Sequence, residues 1–257
     1  MKGKVAVVTG SGAGIGRSIA EAFAQAGASV VIPDIDGEAA ETTADYINKN
    51  SSNALALEID VTDPQQVDHL FDTTIEQFGR VDILINNAGT THPVESILDL
   101  DLDYLDRIFA LDYKGVYLCS RRAGREMIQQ KDGLILNISS IAGITPLPLV
   151  MYGPMKSAVN MLTRILARQW APFNVRVNAI APGYVLTPLI EQMIENGQRD
   201  PSLLIERIPM HSMLEPNEIA DAAIFLASAK ARHITGIILP IEAGWLSDGG
   251  WSAYNIK

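Results

Sequence analysis

Short, almost uninterrupted apolar runs rich in β-branched residues recur along the chain at wide intervals. Such runs are typical of strands that are covered on both faces, because a half-exposed strand would alternate apolar and polar side chains. The pattern predicts seven buried strands, at Val5–Thr9, Ser29–Asp34, Ala54–Asp60, Val81–Asn86, Leu134–Ser139, Val175–Ile180 and Ile237–Ile241.

The intervals between these runs carry apolar residues at helical spacing. The first repeat, Gly14–Ala26, stops at Gly27, and the repeat over Pro64–Phe78 follows two candidate capping residues, Thr62 and Asp63. Further helices are predicted over Leu102–Gln130, Met151–Trp170 and about 216–228. Because strands alternate with helices, we expect an α/β fold with a doubly wound, mainly parallel sheet between two helical layers.

Neither an internal repeat nor a linker of low complexity interrupts this alternation, which predicts a single domain over residues 1–257. The interval Leu186–Met213 is rich in proline, glycine and charged residues and stands between a strand and a helix. Long connections of this kind often cover a binding site, so we expect a lid here rather than a second domain.

Composition and charge narrow the classes of function. The 257 residues include 20 Lys and Arg against 30 Asp and Glu, a net charge of −10, which disfavours binding to nucleic acid or an anionic membrane. A membrane span needs about 18 uninterrupted apolar residues, and no run is that long. The N-terminus lacks a signal-peptide pattern, and the single cysteine, Cys119, excludes a disulfide framework and a multi-thiolate metal site. We therefore expect a cytoplasmic protein with a small-molecule partner and no metal.

Glycines crowd the turn between the first strand and the first helix, in the order Gly10-Ser11-Gly12-Ala13-Gly14-Ile15-Gly16. Glycine lets the backbone approach a pyrophosphate, whose charge the helix N-terminus stabilises. Asp34 ends the second strand, where a carboxylate can bind both ribose hydroxyls and would repel a 2′-phosphate. No Arg or Lys at Ala13, Ile35 or Asp36 offsets that repulsion, so the sequence favours NAD over NADP, although Asp34 would also suit a solvated turn.

Further motifs follow in a fixed order along almost the whole chain. They are Asp60-Val61, Asn86-Asn87-Ala88-Gly89, Asn137-Ile138-Ser139-Ser140, Tyr152-Gly153-Pro154-Met155-Lys156 and Asn178-Ala179-Ile180-Ala181-Pro182-Gly183. Together with the glycine turn, they resemble the short-chain dehydrogenases/reductases. The resemblance implies a Rossmann-type three-layer sandwich and an oxidoreductase that transfers hydride between NAD(H) and a secondary alcohol or ketone.

Tyr152 and Lys156 stand four residues apart, which places both on one face of a helix. A phenol is a poor base at neutral pH, but a nearby ammonium and the positive nicotinamide of NAD⁺ stabilise its phenolate. Tyr152 would then exchange a proton with the substrate oxygen. The resemblance also implies that Lys156 binds the nicotinamide ribose. Taken alone, such a pair is more often a packed tyrosine beside a solvated lysine, but its position after the strand end Asn137-Ile138-Ser139-Ser140 favours the catalytic interpretation.

Two serines precede Tyr152 and compete for the role of holding the substrate oxygen. The family motif assigns that role to Ser140, whose separation from Tyr152 is one residue shorter than usual in the family. We attribute the difference to a deletion in 144–150. Counting along the chain instead selects Ser139, so both remain candidates.

One position departs from the family pattern. Many members carry an asparagine two residues before a Lys-Gly pair, where it anchors a water of the proton relay, and this chain has Asp112 before Lys114-Gly115. An ionised carboxylate accepts a hydrogen bond but donates none, and it would favour the Lys156 ammonium while opposing a Tyr152 phenolate. Asp112 allows two interpretations. The proton relay works with an altered pH response, or the protein is a weakened catalyst. The intact Tyr152 and Lys156 favour the first.

The resemblance also implies the remaining cofactor contacts. Asp60 and Val61 would flank adenine, and Asn87, Ala88 and Gly89 would line the ribose and pyrophosphate. The carboxamide end of the nicotinamide would contact Pro182, Gly183, Val185 and Thr187. Together with Tyr152 and Lys156, the other expected cofactor residues are Gly10, Ser11, Gly12, Gly14, Ile15, Gly16, Asp34 and Ile35.

Substrate contacts are expected from loops at the carboxyl ends of the strands. These are Thr90–Val94, Ile141–Met151 and the lid, with four candidates for a polar or cationic end: His92, Arg199, Arg207 and His211. Sugars, polyols, hydroxy acids, other anionic alcohols and steroids all remain open as substrates.

Three large aromatic residues, Trp245, Trp251 and Tyr254, stand in the tail Glu242–Lys257 and predict packing against another surface. From the family resemblance we expect a homotetramer, with a dimer or an intrachain cover as alternatives. Two other functions stay open on the same fold. One is a non-catalytic NAD-binding regulator, and the other is an NADPH-dependent reductase of acyl-carrier thioesters, which Asp34 and the acidic surface disfavour.

Overall fold

The computed structural model describes residues 1–50, 53–197 and 200–248. Its strands form one sheet, in the order β3-β2-β1-β4-β5-β6-β7, and every neighbouring pair is parallel. The strands are β1 Val5–Val8, β2 Ser29–Asp34, β3 Ala54–Glu58, β4 Ile83–Asn86, β5 Gly133–Ile138, β6 Val175–Pro182 and β7 Ile238–Ile241. The predicted α/β fold with a seven-stranded Rossmann-type sheet is confirmed.

The helices follow the strands in alternation. They are α1 Gly14–Gln25, α2 Gly37–Asn50, α3 Pro64–Phe78, α4 Leu102–Ile108, α5 Val116–Gln130, α6 Tyr152–Trp170, α7 Pro188–Glu195, α8 Pro201–Glu206 and α9 Pro216–Ala227. Asp63 caps α3 by accepting a hydrogen bond from the Gln65 amide at 2.8 Å, as the sequence predicts. The lid interval contains α7 and α8, which begin after the capping residues Thr187 and Asp200.

Two separate apolar cores explain why the strands are apolar without interruption. On one face of the sheet, Val8 and Ile85 pack with Phe23 of α1. On the other face, Val7 and Leu84 pack in a second core. Successive strand residues point to opposite faces, so a sheet covered on both sides needs apolar side chains at every position.

The longest predicted helix is divided in the structure. The interval Leu102–Gln130 was expected as one regular helix, but a π-helical segment, Phe109–Gly115, separates α4 from α5. A π-helical turn is wider than an α-helical turn, and such segments often occur at functional sites. This one carries Asp112, whose side chain is completely buried.

The sheet order also locates the binding crevice. β1 lies between β2 and β4, so the connections after β1 and β4 leave the sheet at a point where the strand order reverses. Ligands of doubly wound sheets bind at the carboxyl ends of the strands beside such a point. Within the described ranges, no helix is long and apolar enough to cross a membrane.

Candidate active site

A cavity of about 810 Å³ opens along the carboxyl ends of the strands, where the topology predicts it. Its walls come from the glycine turn, the segments after β4, β5 and β6, the start of α6, and the lid. The candidate residues among its lining are Gly14, Ile15, Asn87, Gly89, Asp112, Ser139, Ser140, Tyr152, Lys156, Pro182, Gly183, Val185, Thr187 and Arg207. Residues far apart in the sequence thus meet in one site.

The glycine turn is fixed against the end of β2 by Asp34. One carboxylate oxygen of Asp34, Oδ2, accepts a hydrogen bond from the Gly12 amide at 2.8 Å, and the other accepts one from the Asp36 amide at 3.1 Å. A Cβ atom on Gly12 would lie 2.7 Å from Cβ of Ala39 and 3.0 Å from Oδ2 of Asp34. The close approach therefore requires glycine at this position.

Asn87 joins the same turn to the end of β4. Its side-chain Nδ2 donates to the carbonyls of Thr9 and Gly10 at 3.0 and 2.8 Å. Its backbone amide donates to Oγ1 of Thr9 at 3.0 Å. The amide of Ala88 donates to the same hydroxyl at 3.1 Å. A side chain on Gly16 would collide with the Gly10 carbonyl and with Asn87. The two segments therefore form one rigid cradle.

Nine candidate cofactor residues lie outside the lining of the main cavity: Gly10, Ser11, Gly12, Gly16, Asp34, Ile35, Asp60, Val61 and Ala88. Four of them, not described above, occupy distinct environments. Ser11 is buried, and its hydroxyl donates to the Val8 carbonyl at 2.6 Å. Val61 belongs to the core, and Oδ1 of Asp60 accepts from the Thr62 amide at 2.8 Å. Ile35 is exposed beside a second, acidic depression. Asp60 thus acts as a turn-forming carboxylate, which is compatible with a backbone contact to a bound ligand.

Tyr152 begins α6, and Lys156 lies one helical turn later with its side chain directed into the cavity. The ammonium nitrogen of Lys156 lies 5.2 Å from the centroid of the Tyr152 ring and 3.2 Å from the Ile138 carbonyl, to which it donates. The predicted pairing of the two side chains on one helical face is present. Lys156 is buried, whereas Tyr152 is only partly buried and can meet a ligand.

Asp112 lies directly against the ammonium. Its Oδ1 is 2.9 Å from Nζ of Lys156, and its Oδ2 accepts a hydrogen bond from the Thr90 amide at 3.0 Å. Burial opposes the charge on Lys156, but Coulombic attraction to Asp112 and to Tyr152 outweighs it and raises the pKa of Lys156. A Cβ atom on Gly89 would lie 2.8 Å from Oδ1 of Asp112, so only glycine leaves room for this pair.

Ser139 and Ser140 both line the cavity, but they differ in their hydrogen bonds. The hydroxyl of Ser139 is buried and donates to the Lys156 carbonyl at 3.4 Å. The hydroxyl of Ser140 is less buried, and its oxygen accepts a hydrogen bond from the Ala142 amide at 3.1 Å. This bond does not use the hydroxyl proton, which can be donated to a ligand. The choice of Ser140 over Ser139 stays a prediction.

The polar residues predicted for the substrate side differ in their burial and in whether they line the cavity. His92 is buried; its Nε2 accepts from the Met151 amide at 3.2 Å and its Nδ1 faces the Pro93 carbonyl at 2.6 Å, so its ring bonds the backbone. His211 is exposed and lies outside the cavity lining, and Arg199 lies outside the described residues. Of the three candidates within the described ranges, Arg207 alone lines the cavity.

The sequence reasoning missed the aromatic part of the wall. Tyr184 and Trp245 both line the cavity, with ring centroids 5.0 Å apart in an edge-to-face contact. The Arg207 guanidinium lies 5.1 Å from the centroid of the Trp245 ring. Trp245 is predicted from its tail position to pack against another surface, but nothing in the sequence names these partners. Trp251 and Tyr254 lie outside the described residues.

Relatives with named activities cover nearly the whole chain. A cis-4-hydroxycyclohexanecarboxylate dehydrogenase of Sinomonas cyclohexanicum is 37% identical over 94% of this chain and 96% of its own. A galactitol 2-dehydrogenase of Rhizobium johnstonii is 39% identical over 95% of this chain and 96% of its own.

Solved structures agree with these relatives. A short-chain type dehydrogenase/reductase from Mycobacterium marinum superposes with a TM-score of 0.89 at 33% identity, covering 95% of this chain and 96% of that one. A 3-ketoacyl-(acyl-carrier-protein) reductase from Brucella melitensis, complexed with NADH, gives 0.87 at 35% identity, covering 95% and 98%. A family model described as enoyl-(acyl carrier protein) reductase matches residues 10–246. With this fold and these relatives, the chain belongs to the short-chain dehydrogenase/reductase family.

Proposed function

We propose that this protein is an NAD-dependent dehydrogenase that oxidises a secondary alcohol to a ketone, or catalyses the reverse reduction. The observation that carries the proposal is the convergence of Tyr152, Lys156 and two serines in one cavity beside the glycine cradle. The named relatives are dehydrogenases of a hydroxy acid and a sugar alcohol, so a hydroxyl-bearing carbon is common to their substrates. Sugars, polyols and hydroxy acids are accordingly the first classes to test.

The chain's own residues fit a nicotinamide dinucleotide. The glycine turn would hold the pyrophosphate, since its backbone passes where side chains on Gly12 or Gly16 would collide with neighbouring atoms. Asp34 would bind the adenosine ribose. Asp36, Glu38 and Glu58 line the depression beside Ile35, and their negative charge opposes a 2′-phosphate. This acidic surrounding supports NAD rather than NADP.

Tyr152 would act as the acid or base at the substrate oxygen. When bound in this cavity, a nicotinamide cofactor would supply the chemistry of hydride transfer. During oxidation, the Lys156 ammonium would stabilise the phenolate form of Tyr152 through space, and this phenolate would take the hydroxyl proton and become a neutral phenol. Ser140 would donate a hydrogen bond to the same oxygen and fix its position. The sites of proton loss and hydride loss are then adjacent on one carbinol group.

Asp112 would act on Lys156 rather than on the substrate. The carboxylate and the Thr90 amide fix one side of the cavity, and the ion pair holds the ammonium charged and in one position. We therefore favour a working relay with an altered pH response over a weakened catalyst. Asp112 is a positioning residue in this proposal.

The decisive experiment compares wild type with Tyr152→Phe in oxidation assays that supply NAD⁺ or NADP⁺ and a panel of sugars, polyols, hydroxy acids and secondary alcohols. Removal of an acid or base lowers kcat by about 10²- to 10⁴-fold, while NAD binding by calorimetry should persist. Tyr46→Phe, at an exposed tyrosine on α2, is the matched control and should leave kcat unchanged. Turnover by Tyr152→Phe at the wild-type rate would overturn the assignment.

Two rival functions give different results in the same assays. A regulator would bind NAD and oxidise nothing in the panel. An acyl-carrier ketoreductase would prefer NADPH and a β-ketoacyl thioester; the Brucella relative carries that substrate in its name and NADH in its complex. The acidic surface of this chain, with a net charge of −10, opposes docking of an acidic carrier.

We also propose a homotetramer and keep the cytoplasmic location as a prediction from the sequence. Support for assembly comes from exposed apolar side chains on two helices: Tyr117 of α5, and Met161 and Ile165 of α6. Such surfaces often mark subunit contacts. Light scattering after size exclusion distinguishes a tetramer from a dimer and a monomer.

A further inference from the structure

One cation at the lid end of the cavity wall has no ion-pair partner among the described residues. The charged lining residues of the cavity within the described ranges are Asp112, Lys156, Asp200 and Arg207. The first two form the buried ion pair, and Oδ1 of Asp200 accepts from the amide and hydroxyl of Ser202 at 2.9 and 2.6 Å, capping α8. Arg207 stands just beyond the other end of α8 and pairs with no described carboxylate.

The guanidinium of Arg207 is nevertheless held in place. It lies 5.1 Å from the ring centroid of Trp245, whose edge-to-face contact with Tyr184 ties it to the segment after β6. A guanidinium that contacts an aromatic face can keep its N–H groups, which lie in the guanidinium plane, available for a ligand. The planar fork matches the geometry of a carboxylate, which it can bind through two parallel hydrogen bonds.

The loop before α6 and the lid contribute apolar side chains to the cavity wall. Leu147 and Leu149 come from the loop, and Leu189, Leu203 and Leu204 come from the lid. A polyol would place unpaired hydroxyls against these side chains, which costs free energy. A hydrocarbon ring or chain would instead remove apolar surface from water.

We propose that Arg207 binds a carboxylate, so that the substrates of this protein are secondary alcohols with an apolar body and a carboxylate remote from the reacting hydroxyl. The proposal rests on the dehydrogenase activity proposed above and narrows its substrate class. The oxygen to be oxidised lies at Tyr152, the hydrocarbon lies along the leucines, and the anion lies at the lid. No step of hydride or proton transfer involves Arg207.

A binding experiment tests this recognition without turnover. Calorimetry measures the affinity of NAD-saturated protein for cyclohexanecarboxylate and for cyclohexanecarboxamide, a neutral analogue of the same shape. Wild type should bind the carboxylate more tightly by about 10- to 100-fold, as expected for hydrogen bonds to a charged group. Arg207→Leu should abolish the preference, and Arg207→Lys should retain part of it because the charge remains without the fork. Arg232→Leu, outside the cavity lining, is the control and should bind as wild type does.

A kinetic experiment separates this proposal from the general activity. With 4-hydroxycyclohexanecarboxylate, Arg207→Leu should raise KM by about 10- to 100-fold with little change in kcat, while 4-hydroxycyclohexanecarboxamide should be oxidised equally by both proteins. Equal use of acid and amide by wild type would overturn the role of Arg207 and leave the dehydrogenase standing. A carboxylate preference in binding without oxidation of any alcohol would support the role of Arg207 and overturn the dehydrogenase.

Discussion

Two buried aspartates lie at opposite ends of the strands of the sheet and have similar partners. Asp82 precedes β4 at the amino ends of the strands. It is 2% exposed and binds Lys4 at 2.8 Å and the Val5 amide at 2.9 Å. Asp112 lies at the carboxyl ends of the strands. It is fully buried and binds Lys156 at 2.9 Å and the Thr90 amide at 3.0 Å. Each carboxylate thus binds one lysine and one backbone amide, and Asp82 binds Arg80 in addition.

The difference lies in how far the cations can reach water. The side chains of Lys4 and Arg80, which both bind Asp82, are 36% and 41% exposed. The side chain of Lys156 is 4% exposed. Loss of Asp82 would let its cations turn into solvent, whereas loss of Asp112 would leave an ammonium buried. Similar ion pairs therefore stabilise the fold at one end of the strands and, in the function proposed above, hold a catalytic ammonium at the other.

The largest effect is expected for Asp112→Leu. It leaves the Lys156 ammonium buried with the Ile138 carbonyl as an acceptor at 3.2 Å, and breaking a buried pair in this way costs about 3–5 kcal/mol. We expect a lower urea midpoint and the loss of most activity. Urea unfolding and kcat measured on the same preparation test this. Wild-type stability and kcat would remove Asp112 from both roles.

A smaller effect, on stability alone, is expected for Asp82→Ala. The cost is about 1–3 kcal/mol, because the Val5 amide loses its acceptor while Lys4 and Arg80 can be hydrated. The activity of each folded molecule should be unchanged, since Asp82 lies at the end of the strands opposite the cavity. A change in KM would show that the Asp82 ion pairs affect the cavity.

The pH dependence of this stability has a defined sign. Burial opposes ionisation of Asp82, but hydrogen bonds from Arg80, Lys4 and the Val5 amide outweigh it and lower the pKa of the carboxyl below its ordinary value of 3.8. The stabilisation is therefore complete above that ordinary value and is lost as the pH falls through the lower folded-state value. The urea midpoints of wild type and Asp82→Ala should differ clearly at about pH 7 and converge on acidification. A constant difference would contradict this.

The smallest effect is expected for Asp112→Asn, which keeps an acceptor for the Thr90 amide but removes the negative charge. Asp112 helps to raise the pKa of Lys156, so its neutralisation should lower that pKa and let the ammonium lose its proton at a lower pH. Substantial activity should remain, with the alkaline limb of the kcat/KM profile moved to lower pH. Profiles of both proteins with one neutral alcohol measure the shift, and superimposable limbs would contradict it.

The comparison also marks what the sequence can predict. The strands were predictable because burial on both faces demands apolar residues at every position, and Asp112 was predictable as a departure from a motif. The π-helical segment was not, because Phe109–Gly115 contains no residue pattern that separates it from a regular helix.

The direct contact of Asp112 with Lys156, and the contact of Arg207 with Trp245, depend on tertiary packing between distant segments. Local propensity carries no information about such pairs. α2 was also not identified, because many of its residues are polar and its apolar face is short.

The burial of the Asp112–Lys156 pair has a consequence for ionic strength. Dissolved ions screen charges in water over a Debye length of about 8 Å at physiological salt, but they barely reach a pair sealed from solvent. The exposed Arg207 is open to that screening. Added salt should therefore weaken the binding of an anionic substrate to Arg207 while leaving the proton transfer at Tyr152 unchanged. One cavity would thus combine salt-sensitive substrate binding with salt-independent proton transfer.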